Sequence, residues 1–256
     1  SEFPGTKRYD SDKEKLSPAI LKTLVTEAHA KGLRVFAHIA WPSVAKEVVE
    51  AGVDALAHNI SMAETGSAEV YRLMAARGTV LIPTLAQAEA NFALHDDPKA
   101  LDKLRGKVWD VILDSIAHPK SVVRARIAKP GYMADARRSL QISMNNLGRA
   151  VKAGVTIALG TDSGNAGAVH GALVPREMEL MVKAGMTPMQ VIVAATKNAA
   201  EVIGQGKTLG TVEAGKLADL TIIDGDPLKD ISAVRNVSTV VKNGQVIDPA
   251  SLTFVD

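Results

Sequence analysis

An α/β architecture built on a parallel sheet is what this sequence predicts, and three observations predict it. Amphipathic helical patterns alternate with short runs that are almost wholly apolar. A glycine stands at the end of each of the first helical patterns. The apolar runs do not alternate apolar with polar residues. Alternating helices and strands bury themselves best as helices packed on a sheet. Uniformly apolar strands suit a parallel sheet covered on its faces. Glycine closes helices because it enters the left-handed conformation without a Cβ penalty. A barrel and an open sheet both satisfy this pattern.

In chain order, Ser17-Pro18 reads as a helix start, a capping residue followed by proline in the first turn. The segment AILKTLVTEAHAK continues it and stops at Gly32. The run LRVFAHI is the first expected strand. A helix from Pro42 (PSVAKEVVEA) ends at Gly52, and VDALAHNI is the second strand. The helix SAEVYRLMAAR ends at Gly78, before the strand TVLIPTL. A longer helical stretch containing DARRSLQISMNNLGRAVKA ends at Gly154, before VTIALGTDSG. Two further helices are expected around VPREMELMVKA and PMQVIVAATKNAAEVI. Thr211 to Asp224 and Thr239 to Ile247 read as strands. Lys242-Asn243-Gly244-Gln245 fits a tight hairpin in which Asn-Gly supplies positive φ.

Bulk properties narrow the function classes. The chain has 256 residues, 46% hydrophobic and 23% charged, an ordinary composition for one large core or two smaller ones. Its 30 basic and 28 acidic residues give a net charge of +2, too balanced to argue for nucleic acid or an anionic membrane. No apolar run approaches the roughly 20 residues of a membrane span. No signal peptide is visible; the start, SEFPGTKRYD, lacks an initiator Met, so a lost leader is compatible with it and the compartment stays unassigned. The absence of cysteine excludes disulfides and thiolate metal ligands. Any metal must be held by His, Asp or Glu.

Counting from each glycine gives the candidate site. His38 lies six residues after Gly32, His58 six after Gly52, Thr84 six after Gly78, and Asp162 eight after Gly154. Strands of about five or six residues, each advancing ~3.3 Å, put all four at the carboxyl ends of their strands. That end is where active sites form in parallel barrels and where ligands bind in open sheets. Two imidazoles and a carboxylate, His38, His58 and Asp162, suit a divalent metal such as zinc. Such an ion polarises a carbonyl and acidifies water. Asp162 would take a proton and pass it to a leaving amine. Spacing alone fixes neither the metal nor the reaction.

The remaining histidines weigh less. His29 falls in the last turn of the first helix, where a cation interacts favourably with the helix dipole. His95 and His118 read as surface residues, and His95-Asp96-Asp97 as a turn before Pro98. His170 follows GTDSGNAGAV and is a candidate for substrate contact or for stabilising its loop. Trp41, directly after the His38 strand, and Thr84 are candidate pocket residues. Glu177 and Arg176 open a helix, where a glutamate is often only a dipole partner.

The stretches "VFAHI", "DALAHNI", "IALGTDSG", "GMTPMQVIVAATKNAAEVIG" and "GTVEAGKLADLTIIDGDP" together resemble the metal-dependent amidohydrolase superfamily, in particular its imidazolonepropionase-like and Xaa-Pro dipeptidase-like members. The resemblance runs from about Leu16 to Ile247 and is weakest over 86–136. It implies a TIM-barrel (β/α)8 fold of which only the second half, strands five to eight, is represented, followed by carboxyl-terminal strands of a small β-sandwich. It places a partial barrel over 1–205, with a helical insertion at about 86–150, and part of the sandwich over 206–256. It makes His38 the fifth-strand metal ligand and His58 the sixth-strand ligand. Asp162 becomes the eighth-strand aspartate that binds metal and shuttles the proton. The implied reaction is hydrolysis of amide, peptide-like or cyclic amide C–N bonds with zinc, or another divalent ion, as cofactor.

The departures are as informative. The family's first-strand His-x-His pair and its bridging lysine have no counterpart here. The chain therefore reads as a carboxyl-terminal half, with open sheet edges that favour association. Self-association or a missing amino-terminal half is the expected partner. The alternative is a catalytically inactive half-barrel. An open-sheet nucleotide binder is disfavoured, because GTDSGNAG lacks both the Walker lysine and the Rossmann spacing.

Overall fold

The computed structural model describes residues 16–248 except 98, 107 and 166. The first helix, α1 (Pro18–Ala30), starts as its sequence predicts: Ser17 is extended, and its hydroxyl accepts from the Ile20 N–H. Strand β1 (Phe36–His38) follows, then α2 (Pro42–Ala51), β2 (Ala55–Ala57), α3 (Ser67–Arg77) and β3 (Val80–Ile82). Gly32, Gly52, Gly78 and Gly154 all have positive φ, so each helix is turned into the next strand by the expected left-handed glycine. The strands pair in parallel in the order β1-β2-β3. Phe36, Ala37 and His38 face Ala55, Leu56 and Ala57, which in turn face Val80, Leu81 and Ile82.

The strands are shorter than the apolar runs that announce them. Only three residues of each run pair regularly. The fourth run, 155–159, joins the sheet at Leu81, which donates to Thr156 O and accepts from Ala158 N–H. Its next amide, Leu159, turns instead to the carbonyl of Ala194. An apolar run marks burial, and burial continues past the last ladder bond into the turn.

After β3 come α4 (Leu85–Asp96), α5 (Asp110–Ala117), α6 (Val122–Ile127) and the long α7 (Tyr132–Lys152). The main core joins Leu56, Leu81 and Ile157 of the sheet to Val49, Tyr71, Met74, Leu147 and Met181 of the covering helices. Each such side chain is worth about 1.5–3 kcal/mol of burial. Helix α7 contributes Leu140, Met144, Leu147 and Ala150 to this core. Leu101, Leu113, Val123 and Val169 form a small separate core beneath α5 and α6.

Helix α8 (Leu173–Lys183) precedes α9 (Pro188–Val193), a π-helical turn (Ala194–Asn198) and α10 (Ala199–Val202). The π turn has a local purpose: Asn198 Nδ2 donates to the carbonyl of Ile157, completing the sheet's outer run. The chain then forms β4 (Leu220–Ile223), β5 (Val237–Lys242) and β6 (Gln245–Ile247), an antiparallel sheet in the order β4-β5-β6. The hairpin at Asn243 (φ 50°) and Gly244 (φ 77°) is as expected. The strand expected over 211–224 is real only at its end. Before it, Lys216 Nζ donates to Gly206 O and to Thr211 Oγ1, drawing the chain into a turn. Gly210 seats this turn on the π segment, where a Cβ would stand 3.0 Å from Lys197 Cα and from the Thr196 carbonyl oxygen.

Candidate functional site

The carboxyl ends of the strands open into a cleft of about 270 Å³, lined by His38, His58, Thr84 and Asp162 among others. The rings of His38 and His58 meet edge to face, with centroids 4.6 Å apart. His58 Nε2 stands 3.8 Å from Asp162 Oδ2. Its other nitrogen, Nδ1, lies 2.6 Å from Thr84 Oγ1. His58 is thus held from both sides across three strand ends. Desolvation pulls its pKa below the usual histidine value, and neighbouring His38 adds to this while Asp162 opposes it. A neutral ring is the form that binds metal.

The backbone at these strand ends is unusual. His58 has φ 74°, Thr84 φ 51° and Asp162 φ 48°; the other non-glycine residue with positive φ among the described residues is Asn243, in the hairpin. Such conformations cost on the order of 1–3 kcal/mol each and persist where surrounding contacts enforce them. The enforcement at His58 is visible next door. Asn59 is buried; its Nδ2 donates to Ser143 O, and its Oδ1 accepts from Tyr71 Oη–H and from the Ile60 N–H. Behind it, fully buried Asn146 donates to Ile60 O and Ala63 O and accepts from Ser67 and Arg149. Arg149 also reaches Glu64 Oε2. The turn after β2 is therefore clamped to α7 by polar side chains, and that clamp aims His58.

The expected site residues fall into two groups. His38, His58, Thr84 and Asp162 come together in the cleft. Thr84 is buried and engaged with His58, so its hydroxyl orients an imidazole in addition to lining the pocket. Trp41 is the residue before α2 and does not line the cleft; its Nε1 is buried without a hydrogen-bond partner among the described residues. His170 is exposed, lies outside the cleft lining, and covers Gly164, where a Cβ would sit 3.1 Å from its ring. His29 does more than face a helix dipole: its Nε2 lies 2.9 Å from Asp54 Oδ2, a carboxylate that also accepts from the Val35 N–H. His95 and His118 are exposed, as expected.

Several cleft residues were not singled out by the sequence reading. Ser139 and Ser143 of α7, Gln87 of α4, and Asn59 and Asn165 of the loops all line it. The signal for Asn59 was present, a polar residue inside an apolar run directly after His58. Glu177 is the clearest correction. It is fully buried and does not serve its own helix; its carboxylate oxygens accept from the N–H groups of Leu85 (3.0 Å) and Ala86 (2.6 Å). Burial pushes its pKa up to about 7 against those two hydrogen bonds.

Among the described residues no group of three His, Cys, Asp or Glu side chains is already arranged around a common metal position. The donor chemistry nevertheless fits a divalent cation: two imidazoles and a carboxylate share one cleft, and Thr84 occupies the nitrogen of His58 that faces away from Asp162.

The sequence model of the amidohydrolase family matches residues 8–247. Ochratoxinase of Aspergillus niger is 29% identical over 237 residues, covering 90% of this chain and 41% of that protein. Imidazolonepropionase of Geobacillus sp. (strain WCH70) is 30% identical over 205 residues, covering 73% of this chain and 48% of that protein. Among solved structures, a Xaa-Pro dipeptidase with methionine in its active site superposes with a TM-score of 0.68 at 26% identity, covering 91% of this chain and 49% of that one. The chain thus spans half or less of the length of each of these relatives.

Proposed function

Because this chain belongs to the amidohydrolase family, we propose that it supplies the carboxyl-terminal half of a metal-dependent hydrolase acting on amide, peptide-like or cyclic amide C–N bonds. The observation that carries the proposal is the meeting of His38, His58 and Asp162 at the carboxyl ends of parallel strands, with Thr84 locking His58. The names of the relatives, ochratoxinase, imidazolonepropionase and Xaa-Pro dipeptidase, point to small amide-type substrates.

His38, His58 and Asp162 would hold the divalent ion, zinc being the first candidate. When bound, that ion polarises the substrate carbonyl and acidifies water. The chain's own residues do the rest. The Asp162 carboxylate, beside His58 and exposed to the cleft, accepts the proton of the attacking water and returns it to the leaving nitrogen. Water adds to the carbonyl carbon, the C–N bond breaks, and an acid and an amine leave. Ser139, Ser143 and Gln87 present neutral hydrogen-bonding groups to the substrate. His170 and Trp41 remain proposed contacts for the outer part of a larger substrate. A panel of dipeptides, N-acyl amino acids and cyclic amides tests the reading. Turnover that disappears in Asp162→Asn supports it, and turnover that survives the substitution counts against it.

One observation favours a second reading, in which the half is silent until it is completed. Phe36, on β1, is 41% exposed, and an apolar groove of about 900 Å³ runs beside it, lined by Ile82, Val174, Ile192 and Val212. Such a surface calls for cover. A second copy of the chain, or an amino-terminal half, would cover this surface, and the amino-terminal half would also bring the ligands that this sequence lacks.

A further inference from the structure

We propose that Glu177 is a positioning residue: it acts as a surrogate N-cap for α4 and thereby frees the Thr84 hydroxyl to fix the His58 imidazole. The functional importance of the arrangement rests on the reading of His58 as a metal ligand, but the arrangement itself does not.

A helix start has orphan N–H groups, and a threonine in the capping position normally satisfies one with its own hydroxyl from an extended backbone. Thr187, before α9, does this: at ψ 152° its Oγ1 accepts from the Gln190 N–H and the box is closed reciprocally. Thr84 occupies the same position before α4 and behaves differently. Its backbone is left-handed, at φ 51° and ψ 43°, and its side chain makes no capping bond. The hydroxyl points instead to His58 Nδ1, at 2.6 Å. The first two N–H groups of the helix are taken by a carboxylate from another helix, 92 and 91 residues away in sequence: Glu177 Oε1 receives Leu85 and Oε2 receives Ala86.

A fully buried glutamate is an expensive cap unless its place is needed. The neighbouring residues of α8 show how it is held. Arg176 pairs through Nε and Nη2 with Glu89 of α4 and through Nη1 with Glu179, and Glu179 also receives Arg235 from the turn before β5. Helix α8 is thus tied to α4 on one side of Glu177 and to the carboxyl-terminal sheet on the other. With Nδ1 carrying the proton toward Thr84 Oγ1, the lone pair of Nε2 faces the cleft and Asp162.

The tautomer of His58 in the metal-free full chain tests this directly, read from ring ¹⁵N shifts at a pH where the ring is neutral. Wild type is expected to be mainly protonated at Nδ1. Thr84→Val should move the tautomer ratio by about fivefold, the worth of one hydrogen bond. Glu177→Gln, which keeps one acceptor, should move it the same way as Thr84 returns to the orphan amide. In a Thr84→Val background the Glu177 substitution should add nothing. Thr187→Ala, which removes a cap elsewhere, should leave the ratio unchanged.

A ratio unmoved by Glu177→Gln, or moved equally by Thr187→Ala, overturns the proposal. If Glu177→Gln does not fold, hydrogen exchange in the wild type decides: Leu85 and Ala86 amides exchanging at unprotected rates overturn it, and strong protection of both supports it. Metal uptake is measured separately. A tautomer shift in a protein that binds no metal keeps the positioning role and sinks the proposed function, and the reverse result does the opposite.

Discussion

Glu177 offers a test in which the sign of the effect is as informative as its size. Its carboxyl is fully buried, and its pKa is pushed from the ordinary 4.5 to about 7 by desolvation. In the unfolded chain the group ionises near 4.5; in the folded chain it keeps its proton until about pH 7. The folded state therefore binds more protons between those values, and stability falls as pH rises. The contribution is fully present below about pH 4.5 and is lost as pH climbs through about 7. At 1.36 kcal/mol per pH unit, the whole change is about 3 kcal/mol. Glu177→Gln has no such titration but surrenders one acceptor, costing about 1 kcal/mol at every pH. The variant should then be the less stable protein at pH 4.5, by about 1 kcal/mol, and the more stable one at pH 8, by about 2 kcal/mol. The two stabilities should cross between about pH 5 and 6 by the same reckoning. Urea unfolding of both proteins across this range measures it, and the other carboxylates cancel in the difference. A difference that stays flat with pH, or one that grows in favour of wild type, refutes the reasoning.

Three further outcomes are expected. Asp162→Asn should abolish amide hydrolysis yet leave stability within about 0.5 kcal/mol, because the side chain is exposed and asparagine tolerates the left-handed backbone at φ 48°; a large fall in Tm would mean that Asp162 is structural. Asn146→Leu should cost about 3 kcal/mol or more, since it strands the carbonyls of Ile60 and Ala63, and thermal unfolding should fall by roughly 6–12 °C. Sedimentation of the chain alone at micromolar concentration should give a mass above the 27.0 kDa monomer, because among the described residues no strand pairs with the outer edge of β1 and the apolar groove lies beside it; a stable monomer would remove the argument for a covering partner.

What the sequence made legible was local. Gly32, Gly52, Gly78 and Gly154 mark helix ends because the left-handed turn they make involves only neighbouring residues. Counting forward from them found His38, His58, Thr84 and Asp162, since a strand advances by a nearly fixed step. Asn243-Gly244 gave the hairpin for the same reason. What stayed hidden depends on register between distant segments. The bond between His58 and Thr84 spans 26 residues, and the cap from Glu177 to Leu85 spans 92. Nothing in the composition of α8 tells which helix its glutamate will serve. The positive φ of His58, Thr84 and Asp162 was not read, because the enrichment of His and Asp in that region is a far weaker local signal than glycine's and Thr has none. Strand ends were overdrawn because apolar character persists through buried turns. The segment before β4 turned because Lys216 gathers carbonyls, an interaction of a single side chain.

The most direct test of the central claim is the metal content per chain after dialysis against metal-free buffer and re-addition of zinc, with His58→Ala and Asp162→Asn measured alongside. About one divalent ion per wild-type chain, lost in His58→Ala and weakened in Asp162→Asn, is the result this account predicts. No ion retained by the wild type, or retention unchanged in both variants, would contradict it.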